Sequence, residues 1–110
     1  MKEEIGTTVK GIIDRPLGST HPSHSDLIYP VNYGYIPDIL AGDGEGQDVY
    51  VLGTNLPLTS FEGKVIAIYH RFNDVEDKWI VSVDGKDYSD EEILASIYFQ
   101  EQYFKGELIR

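Results

Sequence analysis

Cysteine is absent from the 110 residues, which excludes disulfides and thiolate metal sites and suits a reducing compartment. Basic residues are scarce: nine Lys and Arg stand against nineteen Asp and Glu, for a formal charge of −10. Such a charge repels nucleic acid and anionic membranes at long range, so no nucleic-acid partner is expected. A polyanionic substrate would have to arrive with metal ions or meet a local cluster of cations. Long apolar runs are also missing. No segment approaches the ~18 apolar residues of a membrane span, and Met1-Lys2-Glu3-Glu4 opens no leader-like stretch. No membrane partner is expected, and the chain reads as cytoplasmic. No repeat, linker or low-complexity segment divides it, so residues 1–110 are read as a single domain, able to bury roughly two thirds of its unfolded surface.

What is present reads mainly as short strands. Thr7 to Ile13 is rich in β-branched residues and ends at Asp14-Arg15-Pro16, because proline cannot continue a ladder. Gly, Ser, Thr, His, Pro and Asp fill Leu17 to Asp26, a composition that favours loop. Asp48 to Leu52 alternates, aiming Val49 and Val51 at a core and Asp48 and Tyr50 away from it. Lys64–Arg71 and Lys78–Val83 read as an antiparallel hairpin across the polar turn Asn73–Glu76. One helix is expected from Ser89, where Ser89 and Glu92 have capping-box spacing and Tyr88 and Ile93 can form a hydrophobic staple. Ile93, Leu94, Ile97 and Phe104 lie broadly on one face, Phe99 and Tyr103 form a second ridge, and Gly106 is placed to cap the end. The expected fold class is α+β, mainly β: a small OB-like barrel with one C-terminal helix.

Asp43-Gly44-Glu45-Gly46-Gln47-Asp48 puts three carboxylates within six residues. Carboxylates so crowded repel one another unless each is solvated or a cation sits between them, and a hard divalent ion such as Mg²⁺ is the usual partner. Taken alone, the stretch is also compatible with an acidic surface turn. An EF-hand does not fit, since the twelfth position counted from Asp43 is Thr54. His21 and His24, in His21-Pro22-Ser23-His24, could bind a softer divalent metal or donate to phosphate.

The block Tyr29-Pro30-Val31-Asn32-Tyr33-Gly34-Tyr35-Ile36, leading into Asp43-Gly44-Glu45-Gly46-Gln47-Asp48, resembles the family I soluble inorganic pyrophosphatases. There a Tyr-Pro-x-Asn-Tyr-Gly-Tyr-Ile segment precedes an Asp-Gly-Asp-Pro-x-Asp metal motif. Agreement is tightest from Tyr29 to Leu52 and weaker through Asp74–Val83 and Tyr103. The resemblance implies a pyrophosphatase-type barrel that hydrolyses inorganic pyrophosphate to two phosphates with Mg²⁺, or Mn²⁺ or another divalent ion. It implies that Asp43 and Asp48 bind metal and that Glu45, an aspartate in the family, helps activate the attacking water. Asp74 and Asp77 resemble a second acidic pair that completes the metal cage. Tyr33 and Tyr103 match tyrosines that bond to metal water or phosphate oxygens, and Arg15 matches a phosphate-binding arginine. Lys78 and Lys105 stand one position from the family's lysines, an offset that on a strand reverses the face. Two alternatives stay open: a hydrolase of another phosphoanhydride such as a nucleotide polyphosphate, and a non-catalytic module that binds phosphate or metal. A homo-oligomer is a further expectation.

Overall fold

A computed structural model describes residues 2–110, the side chain of Lys2 excepted. Its elements follow in the order β1 Thr8–Arg15, β2 Thr20–His21, β3 His24–Ile28, β4 Asn32–Leu40, β5 Gly46–Leu52, β6 Ser60–Arg71, β7 Asp77–Ser82, α1 Asp90–Glu101 and β8 Gly106–Ile109. Five strands run β1-β4-β5-β7-β6, and a β1–β6 pairing closes them into a barrel. All neighbours are antiparallel except β5 and β7, which pair in parallel with Val49 opposite Trp79. Closure removes the free edges that a sheet of this size would otherwise expose.

The period-two alternation of the strands sorts their side chains onto two surfaces. Ile13, Val49, Val51, Val65, Ile68, Trp79 and Val81 fill the barrel interior. Tyr33, Tyr50, Leu52 and Ile80 point outward, where Ile93 and Ile97 of α1 cover them. Tyr50 is therefore fully buried although its strand neighbours face the barrel, so β5 has two buried faces where one was expected.

The helix starts as its sequence predicts. Ser89 Oγ accepts from the Glu92 N–H, and the Glu92 carboxylate accepts from the Ser89 N–H. Its end differs: Gln102 caps the helix, while Gly106 opens β8 on the edge of β6 opposite Arg71. A side chain at Gly106 would collide with the His70 carbonyl. Within the stretch read as loop, β2 and β3 form a small hairpin of their own. The Tyr29–Ile36 block leads into β4, and Asn32 ties three segments together there. Its Oδ1 accepts from Leu17 and Leu58 N–H at 3.0 Å each, and its Nδ2 donates to the Leu56 carbonyl at 3.0 Å. Gly34 lets β1 approach so closely that a Cβ would sit on the Ile12 carbonyl oxygen.

Candidate active site

Lys78 organises the outer surface of the barrel beside α1. The parallel register that sets Val49 against Trp79 also brings position 48 beside position 78. The buried Lys78 ammonium donates to Asp48 Oδ2 at 2.6 Å, Glu76 Oε2 at 2.9 Å and the Tyr33 hydroxyl at 3.1 Å. Burial alone would lower its pKa, but Tyr33, Asp48 and Glu76 together outweigh that effect and raise it, so the group stays charged. Burial pushes the Tyr33 phenol up to about 12, against the opposing pull of Lys78. Tyr33 is accordingly a neutral hydrogen-bonding group at ordinary pH.

Arg15 reaches the same surface through an irregularity in β1. Ile13 faces the barrel interior, and two residues on a regular strand share a face. The register shifts between Ile13 and Arg15, which brings Arg15 opposite Tyr33 and turns its guanidinium outward, as bulges do. Arg15 Nη1 donates to the Tyr29 hydroxyl at 2.6 Å. Its Cζ lies 5.8 Å from the centre of the Tyr29 ring and 5.5 Å from that of Tyr33.

The two acidic turns meet at the rim through Asp43 and Glu76. Their carboxyls interact, which lowers the pKa of Asp43 and raises that of Glu76. The Glu45 N–H donates to Asp43 Oδ1 at 2.9 Å, and Glu45 is exposed beside it. Expected to sit here, Asp77 lies on the other face of β7. Its Oδ1 contacts His70 Nδ1 at 2.7 Å, and it lines a cavity of about 300 Å³ with Gln47 and Trp79. Lys78 faces the site and Asp77 does not, the reverse of the gap-free match, because the β5–β7 register sets the parity of the strand. Glu76, two positions before Lys78, takes the place foreseen for Asp77. The i, i+2 spacing of Glu76 and Lys78 was the available signal.

Asp74 serves the surrounding scaffold. Its Oδ1 accepts from the Glu76 N–H at 3.1 Å, and its Oδ2 from Arg71 Nη1 at 3.2 Å. Arg71 also donates to Glu101 through Nε at 2.8 Å and Nη2 at 2.6 Å, and it stacks 3.6 Å from the centre of the Phe104 ring. Glu101 accepts from the Tyr50 hydroxyl at 2.6 Å, Gln100 donates to Tyr50 at 2.8 Å, and the Tyr29 hydroxyl donates to Gln100 at 3.0 Å. A continuous chain of polar contacts thus runs from Arg15 through the last turn of α1 to the loop bearing Glu76. Sequence reading missed Tyr29, Arg71, Gln100 and Glu101, whose partners lie up to 71 positions apart. Tyr103 is apart from this group, 70% exposed in a cavity of about 210 Å³ with His24, Asp26 and Leu27. Lys105 is exposed as well.

The acids fit a hard cation in kind, since every donor is a carboxylate oxygen. The mutual influence of the Asp43 and Glu76 carboxyls, which raises the pKa of Glu76, marks a point where positive charge is favoured. As they stand, no three His, Asp or Glu among the described residues close on one point, and Lys78 neutralises Asp48 and Glu76.

No helix among the described residues is long and apolar enough to cross a membrane. The chain is 40% identical over 63 residues to an inorganic pyrophosphatase of Saccharolobus solfataricus, covering 54% of this chain and 37% of that one. It is 36% identical over 93 residues to an inorganic pyrophosphatase of Caulobacter vibrioides, covering 82% and 47%. These matches span about half the length of the curated relatives or less. The fold is similar to that of crystalline inorganic pyrophosphatase from Ehrlichia chaffeensis, with TM-score 0.70 and 20% identity over 94% of this chain and 85% of that one. It is also similar to the Helicobacter pylori inorganic pyrophosphatase, with TM-score 0.67 and 16% identity over 97% and 86%. At those identities the likeness is one of fold. The inorganic pyrophosphatase family model matches residues 6–103, nearly the whole barrel and helix, and the chain belongs to that family.

Proposed function

We propose that this protein hydrolyses inorganic pyrophosphate to two phosphates, with Mg²⁺ as the metal. The observation that carries the reading is the buried Lys78, bonded at once to Tyr33, Asp48 and Glu76, with Arg15 against the same tyrosine. A permanent cation at the meeting point of two acidic turns suits an anion that arrives neutralised by metal.

The family is metal-dependent in general, and Asp43, Asp48 and Glu76 are the residues that would hold the ion. When bound, such an ion neutralises the diphosphate and lowers the pKa of a coordinated water. The rest falls to the chain. Arg15 holds phosphoryl oxygens, and Lys78, whose three N–H groups are given to Asp48, Glu76 and Tyr33, adds its fixed charge to stabilise the charge that builds on the leaving phosphate. Tyr33, kept protonated, donates a hydrogen bond to an oxygen without competing as a base. Glu45 is free at the rim to accept the proton of the attacking water. The water oxygen bonds to one phosphorus, the bond from that phosphorus to the bridging oxygen breaks, and its electron pair leaves with the second phosphate.

Phosphate release from pyrophosphate in Mg²⁺ or Mn²⁺ tests the reading directly. Asp48→Asn should lose about 10²-fold or more, as expected when a charged positioning group is removed. Equal activity in the two proteins would refute the assignment.

A further inference from the structure

The stripe by which α1 meets the barrel changes chemistry in its last turn. Ile93 and Ile97 are fully buried, and the same helical spacing continues to Gln100 and Glu101, which are 9% and 4% exposed. Apolar residues would satisfy packing at those two positions, whereas a buried polar side chain costs stability unless it is hydrogen-bonded. Both have partners. Tyr29, just ahead of β4, and Tyr50 of β5 are fully buried beneath this turn. Phe99 stands edge-on to both rings, 5.0 and 6.0 Å between centres, so the rings are held and their hydroxyl hydrogens keep the remaining freedom.

The direction of each hydrogen bond is set from the Glu101 end. The carboxylate takes two N–H groups of Arg71 and has no proton of its own to give. Tyr50 must therefore donate its single proton to Glu101, at 2.6 Å. Burial, then the charge of Glu101, raise the Tyr50 pKa, which keeps that proton in place. With its proton spent, the Tyr50 oxygen accepts, and Gln100 Nε2 donates to it at 2.8 Å. That turns the amide Oε1 toward Tyr29, whose hydroxyl donates to it at 3.0 Å. Tyr29 is left with a lone pair, and there Arg15 Nη1 donates at 2.6 Å. Reversing the Gln100 amide would aim its N–H at Tyr29 and turn the Tyr29 proton toward Arg15, donor against donor.

We propose that Gln100 is a positioning residue of this hydrolase: by holding the Tyr29 hydroxyl in one orientation, it fixes the Arg15 guanidinium where the reaction uses it. The proposal rests on the hydrolase reading above and adds to it a residue that never touches substrate. Without the amide oxygen the Tyr29 O–H is free to swing toward Arg15, and in that orientation it releases the guanidinium.

The test measures kcat/KM for pyrophosphate in Mg²⁺ after Gln100→Met is introduced into three backgrounds: wild type, Arg15→Ala and Tyr29→Phe. Methionine keeps the length and helix preference of glutamine and removes both hydrogen-bonding groups. Phenylalanine at position 29 keeps the ring and cuts the link to Arg15. A hydrogen bond to a charged group corresponds to about a 10-fold effect or more, so Gln100→Met should lose about 10-fold in the wild-type background. In Arg15→Ala and in Tyr29→Phe it should change kcat/KM less than about 2-fold, because the group it positions, or the link to that group, is gone. A purely structural role would cost the same in all three backgrounds. That result, or no loss in the wild-type background, overturns the proposal and leaves the hydrolase reading intact. Circular dichroism reports folding, and if Gln100→Met does not fold, Gln100→Ala enters the same comparison with the same expectations. If wild type releases no phosphate from pyrophosphate, the hydrolase reading fails by itself, and calorimetric binding of pyrophosphate with Mg²⁺ then judges Gln100. Weakening confined to the wild-type background supports the positioning role; equal weakening in every background, unchanged binding, or no binding to wild type overturns it.

Discussion

Replacing Glu101 by glutamine should destabilise the protein more than its conservative chemistry suggests. Glu101 and Arg71 are 4% and 7% exposed, so solvent does little to screen their attraction. Two guanidinium N–H groups and the Tyr50 hydroxyl all converge on the Glu101 carboxylate. Glutamine leaves the buried guanidinium with Asp74 alone, at 3.2 Å and half-exposed, and turns an amide N–H toward one of these donors. Breaking a buried pair from one side typically costs about 3–5 kcal/mol, against a total of roughly 5–15 kcal/mol for a domain. The thermal midpoint should fall by roughly 15–30 °C. Urea denaturation followed by Trp79 fluorescence and circular dichroism gives the free energy, provided the slope with denaturant is unchanged. The double variant with Arg71→Met should recover part of the loss, because it leaves no uncompensated charge. A loss below about 1 kcal/mol in Glu101→Gln, or strict additivity in the double variant, would refute the claim that this pair holds the helix to the site.

Glu76→Gln should lower phosphate release from pyrophosphate by about 10²-fold, whereas Asp77→Asn, on the opposite face, should change it less than about 3-fold; the reverse order would restore Asp77 to the site. Lys78→Met should cost about 10²–10³-fold in kcat/KM, measured in the same assay. Stability should fall at alkaline pH, with Tyr33 contributing to the decline. Its folded pKa of about 12 lies above the ordinary 10, so its contribution is complete below pH ~10 and is lost as pH rises through 12, on the order of 3 kcal/mol in all. In Tyr33→Phe the decline over that window should be shallower by that amount in urea titrations. Gly34→Ala should cost roughly 3 kcal/mol by forcing β1 away from β4, read as a lowered urea midpoint.

The features legible in the sequence were those whose partners lie close along the chain. The capping box needs only Ser89 and Glu92, three positions apart, and it forms as read. The β6–β7 hairpin and the outward aim of Asp48 follow from alternation within single strands. Asp43 and Glu45, two residues apart in one turn, were found together for the same reason. The β2–β3 hairpin and β8 were harder to see, since a two-residue strand and a four-residue strand carry too little alternation to register against a loop-like composition.

Face and register across the barrel were not legible, and the candidate site depends on them. Whether Asp77 or Lys78 points outward is fixed by the parallel pairing of β7 with β5, two strands that a chain reversal through β6 brings together. The outward turn of Arg15 comes from an irregularity in β1 against β4. The links of Tyr29 to Gln100 and of Tyr50 to Glu101 span 71 and 51 positions. Sequence alone determined which chemical groups this protein carries and the local turns that present them, because backbone preference and short-range hydrogen bonds act within a few residues. Closure of the barrel and the packing of α1 decided which of those groups meet, because side-chain parity and contacts between distant strands exist only after the core has formed.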